Sequence, residues 1–92
     1  MAAKKKIKVV YKKLGKEKAW GVCHDTHIEI DSTLKGKKLF EITNHECFHH
    51  LFPKLSENDI IRLSVLLTNT LWSEGYRKID NDNSQELQDG TK

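Results

Sequence analysis

The one proline of this 92-residue chain, Pro53, stands between two apolar stretches of helical period. Upstream, Leu39, Phe40, Ile42, Cys47, Phe48 and Leu51 recur at the spacing of a helix face. Downstream, the run from Ile60 to Trp72 is apolar around most of a helix circumference. A helix cannot easily continue through a proline, so the first is expected over about residues 37–51 and the second over about 57–74. Ser56 is placed to cap the second helix, with Asp59 three residues on as an acidic form of the capping box. Glu57 and Asp59 suit the positive end of that helix, and Gly75 is expected to end it. The second helix must begin beside the end of the first, because Glu57 follows His49 by only eight positions. Its apolar circumference predicts heavy burial.

Before residue 37 the period is different. KIKVVYKKL, Lys6 to Leu14, is rich in β-branched and aromatic residues and reads as a strand. GKEK follows as a turn, then AWGVCHD as a second strand with Gly21 as a bulge. Asp25-Thr26 is a tight turn or kink. In THIEID, Ile28 and Ile30 alternate with Glu29 and Asp31, the pattern of a half-buried strand. The order β-β-β-α-α predicts an α+β fold, a small antiparallel sheet of about three strands packed on two helices. One domain is expected over residues 1–77, with strands in about 6–31 and a polar, disordered tail over 78–92. There is no internal repeat.

Charge is unevenly placed. The formal net charge is +3, yet eight lysines crowd the first eighteen residues against the single acid Glu17. Such a strand could attract nucleic acid, although lysines also protect a solvated sheet edge. Only Arg62 and Arg77 are arginines, too few for bidentate reading of phosphates or bases. Cys23 and Cys47 are the only cysteines and form no spaced framework, so both are expected as small apolar residues in a reducing compartment. No apolar run approaches the ~20 residues of a membrane span, and the lysines of the N-terminus precede no signal-like apolar region. The expected setting is the cytoplasm, without a membrane partner.

Within the first expected helix lies NHECFHHLF, with His45, Glu46 and His49 in the pattern HExxH. Residues four apart share a helix face, so His45 and His49 can reach one metal ion. Glu46 lies beside that face, positioned to take a proton from water. His and Glu are also poor choices for the apolar flank of a helix, at ~1–3 kcal/mol for each buried group without a partner. A metal would supply those partners. A zinc site of this kind needs a third protein ligand and an open position. Glu57 is the leading candidate, with Asp59 and Glu74 as alternatives. Helix-dipole stabilisation is the plain structural role for Glu57. His50 points about 100° away from His49 and is expected at the surface or behind the ligands. His24, His27 and Tyr76 are candidate oxyanion donors, or else ordinary surface residues.

The segments IEIDSTLKGKKLFEITNHECFHHLF and LSENDIIRLSVLLTNTLW together resemble small HExxH metallopeptidase-like proteins of phages and bacteria. These are minimal zincins related to the ImmA/IrrE-type and SprT-like families. The resemblance covers about Trp20 to Trp72 and implies a bacterial or phage-infected cell. It implies zinc on His45, His49 and Glu57, with Glu46 as general base. It also implies that the strand Thr26, His27, Ile28, Glu29, Ile30 is the edge beside the cleft, pairing with an extended substrate backbone. The chain is shorter than most members, the interval from His49 to Glu57 is shorter than in the ImmA/IrrE-type proteins, and the lysine-rich first strand has no counterpart among them.

Two functions follow as expectations. One is a zinc-dependent metallopeptidase acting on a peptide or protein substrate. The other is a non-catalytic, zinc-stabilised module that docks a protein partner, or nucleic acid through the lysine-rich strand.

Overall fold

The computed structural model of the chain describes residues 5–15 and 19–79. Residues 16–18 of the GKEK turn and residues 80–92 of the polar tail lie outside the described residues. Three strands, β1 (Val9–Lys12), β2 (Gly21–Cys23) and β3 (Ile28–Asp31), precede two helices, α1 (Gly36–Leu51) and α2 (Glu57–Ser73). The sheet packs against α1, and α2 packs against α1, in an α+β fold.

The sheet is mixed rather than wholly antiparallel. Its order is β1-β3-β2, with β1 parallel to β3 and β2 antiparallel to it. The β2–β3 pair is a hairpin, closed where the His24 amide donates to the His27 carbonyl at 2.8 Å. That hairpin occupies one edge of β3, so β1 takes the other. There it runs in the same direction as β3, with Val9 opposite Ile28 and Tyr11 opposite Ile30. The strand containing Ile28 to Ile30 is therefore central, not the edge expected for substrate pairing. Its inward residues Ile28 and Ile30 are wholly buried, as a strand flanked on both sides should be.

Ile28, Ile30 and Leu34 form the core beneath α1, with Val9, Leu39, Ile42 and Cys47 packed around them. Cys23 and Cys47 are free thiols in this layer. The buried Asp31 ends β3. Its Oδ1 accepts from the Thr33 hydroxyl at 2.7 Å and the Thr33 amide at 2.8 Å. These bonds, with further ones from the amides of Leu14 and Gly15, hold its carboxyl below the ordinary range. One side chain thus fastens the end of β1 to the turn that launches α1.

The Ser56 hydroxyl caps α2 by accepting from the Asp59 amide at 3.1 Å. The Asp59 carboxylate does not close a capping box; it takes Arg62 at 3.1 Å. Gly75, at φ +95°, ends the helix. Its amide reaches the Trp72 carbonyl and that of Tyr76 the Leu71 carbonyl, the paired bonds of a glycine-terminated helix. Heavy burial of α2 does not follow from its composition. Only Ile60, Ser64 and Thr68 are buried, while Ile61 is 44% and Leu66 61% exposed. α1 is the element packed against it, covering a single stripe that is small and partly polar. Asn44 of α1 donates to the Thr68 hydroxyl across the seam at 2.9 Å. Among the described residues no helix is long and apolar enough to cross a membrane.

Candidate metal centre

Asn44, bonded to Thr68, immediately precedes His45, so the seam sets the rotation of α1 relative to α2. His45 and His49 then turn toward the first residue of α2. His45 Nε2 lies 3.3 Å from one oxygen of Glu57, and His49 Nε2 lies 2.8 Å from the other. The two rings meet edge to face with centroids 4.9 Å apart. One donor atom from each of the three residues falls within 4.8 Å of the others, a group that could hold a metal ion. Glu57 is 59% exposed, so the group opens to solvent on that side.

The alternatives for the third position lie elsewhere. Asp59 is held by Arg62. Glu74 caps the opposite end of the 17-residue α2, roughly 25 Å along its axis. Tyr76 is at that far end too, lining an apolar groove with Tyr11, Phe40 and Trp72. It is remote from His45 and His49 and is no oxyanion donor for them. His50 is half-buried and outside the group.

Glu46 is the buried member of the motif, 8% exposed. Burial pushes its carboxyl above the ordinary range, while His45 and His49 pull it down and Glu57 adds to the rise. The room for it comes from β2. A Cβ on Gly21 would stand 2.8 Å from Glu46 Cγ, 3.1 Å from its Oε2 and 3.0 Å from Ile42 Cγ2. Gly21 is thus no bulge, since β2 keeps a regular register against β3. It is a close approach that only a residue without a side chain permits.

β2 is an edge strand, pairing with β3 alone among the described residues. Trp20 accepts from Asp31 and His24 donates to His27, both across to β3. Backbone groups in an antiparallel pair alternate between facing the partner and facing away. Gly21 and Cys23 therefore turn their N–H and C=O groups to the open edge, next to Glu46.

No family model matches this chain, and no curated protein or solved structure matches it either. What can be said of the centre rests on its own residues.

A second group that could hold a metal ion is His24, His27 and Glu29. His24 Nε2 is 3.2 Å from one Glu29 oxygen and His27 Nε2 3.3 Å from the other. Hydrogen bonds from His24 and then His27 hold the Glu29 carboxyl below its usual range, and Lys12 contributes in the same direction. Neither His24 nor His27 belongs to the HExxH group. The signal for this cluster was present in the sequence as HDTHIE. It could be read only with the turn in hand, because His24 and His27 meet by cross-strand pairing.

The Gly21 contact gives a prediction. Gly21→Ala should displace Glu46 or Ile42, at an overpacking cost of about 1–3 kcal/mol. Denaturant unfolding should register that loss, with metal stoichiometry unchanged because His45, His49 and Glu57 do not touch Gly21.

Proposed function

We propose that the chain is a zinc-dependent metallopeptidase whose ligands are His45, His49 and Glu57 and whose general base is Glu46. The observation that carries this reading is the convergence of His45 and His49 on opposite oxygens of Glu57, with buried Glu46 beside them. Two imidazoles and a carboxylate are a donor set that suits zinc. Ligands at zinc distances from a tetrahedral ion stand ~3.3 Å apart. His45 Nε2 already has that separation from one Glu57 oxygen and His49 Nε2 lies about half an ångström closer to the other, so a tetrahedral ion requires the carboxylate to turn one oxygen to both imidazoles. Bound there, zinc would polarise a scissile carbonyl and bring the pKa of its water to about 7.

The chain's own residues account for the rest. An extended peptide adds to the open edge of β2, where Gly21 and Cys23 offer backbone groups beside Glu46. This replaces the Thr26–Ile30 strand, both of whose edges are occupied. Glu46 takes a proton from the attacking water and passes it to the leaving amine.

The first experiment is elemental analysis of protein purified without added metal. In the His24→Ala/His27→Ala background, which leaves this centre untouched, one zinc per chain is expected, lost on adding His49→Ala or Glu57→Ala. Zinc kept with Glu57→Ala in that background would overturn the ligand set, and no zinc there after incubation with the metal would overturn the reading.

A further inference from the structure

We infer that the β2–β3 hairpin carries a second metal site, formed by His24, His27 and Glu29, for a borderline divalent cation such as Zn2+, Ni2+ or Cu2+. This is independent of the peptidase reading, because it uses none of the same residues.

The argument begins with the turn. The register pairs Gly21 with Ile30, Val22 with Glu29 and Cys23 with Ile28. Carried one step on, it sets His24 opposite His27, and the His24 amide donates to the His27 carbonyl at 2.8 Å. Only Asp25 and Thr26 lie between them. Side chains opposite one another in a hairpin share a face, and so do residues two apart along a strand. His24, His27 and Glu29 therefore project together. Ile28 and Ile30 project the other way into the core, which places the trio on the sheet face turned away from α1.

The side chains are also oriented. The His24 and His27 rings stack with centroids 4.6 Å apart. Each turns Nε2 to a different oxygen of Glu29, at 3.2 and 3.3 Å. The Thr26 hydroxyl holds His27 Nδ1 at 2.9 Å, the kind of outer contact that fixes the ring of a ligating histidine. Three donor atoms within 4.8 Å of one another leave room for an ion among them. Glu29 is only 16% exposed while His24 is 42% exposed, so the group is rooted in the sheet yet open to solvent. Imidazole donors select zinc, nickel or copper over calcium or magnesium. Lys12 lies 3.7 Å from Glu29 Oε2 and is the competing cation. An ion held here would clamp β2 to β3 at their turn.

Zn2+ titrated calorimetrically into the purified full chain tests this. Wild type is expected to show a binding event that is absent from the His24→Ala/His27→Ala double variant and retained in His45→Ala/His49→Ala. Lys12→Gln should tighten that event by roughly two- to fivefold, the worth of one surface pair. A purely structural ion pair would not respond so. Glu29→Gln, a smaller change, should weaken the event and serves as the check if the double variant unfolds. Zinc binding unchanged in the hairpin variants, with their melting curves intact, would overturn the site. If the HExxH residues bind no zinc, the hairpin event still stands or falls on the His24 and His27 variants alone.

Discussion

Glu46→Gln is expected to keep its zinc and lose cleavage of a degenerate peptide library by about 100- to 10,000-fold, the usual contribution of a general base. The amide matches the carboxyl in shape, so the contact with Gly21 and the ligand set His45, His49 and Glu57 remain. What disappears is the ability to accept a proton. With metal stripped from both proteins, the same variant should melt no lower than wild type at neutral pH. Burial works against the Glu46 carboxylate, and replacing a buried charge by a neutral isostere removes that penalty. Activity lost with stability held or raised is the mark of a group kept for function. Zinc lost in Glu46→Gln, or cleavage retained, would remove Glu46 from the role of base. Mass spectrometry of the library digest and elemental analysis read the two outcomes separately.

The helices were legible because their signals are local. Pro53, Ser56 and Gly75 act on their own neighbours, and α1 and α2 lie where periodicity set them. The spacing of His45 and His49 was legible for the same reason. Sheet order was not, because pairing is long-range. Nothing in VVYK says that it will run parallel to IEID, and that pairing makes β3 central. α2 is more exposed than its pattern predicts because periodicity reports what a helix can bury, not how much partner there is to bury it. With α1 as the element packed against it, Ile61 and Leu66 stay outside. Gly21 reads as a bulge in sequence, and only the packing of α1 over β2 shows that it clears Glu46. The hairpin cluster belongs with these tertiary facts. Three ordinary polar residues become a chelating group once the two-residue turn brings His24 opposite His27.

Stripping zinc from His45, His49 and Glu57 with excess chelator should lower the melting temperature by ~15–30 °C. The size follows from two magnitudes. A ligand held at a thousand times its Kd adds ~4.1 kcal/mol to the folded state. In a domain of this size each kcal/mol moves the midpoint by ~4–8 °C. The chain has little else to set against that loss. Among the described residues only Leu14, Ile28, Ile30, Leu34 and Ile60 are buried apolar residues, a core that needs a staple. The metal would provide it by joining α1 to the start of α2, across a seam where Asn44 bonds to Thr68 and Phe40 meets Trp72. The shift should be absent in His49→Ala, which has no tight zinc to lose, and present in His24→Ala/His27→Ala, which keeps the HExxH group. Melting indifferent to chelator in the wild type would mean that Glu57 serves His45 and His49 as an ion-pair partner alone. The α1–α2 seam would then be held by side-chain contacts, and the zinc reading would fall with it.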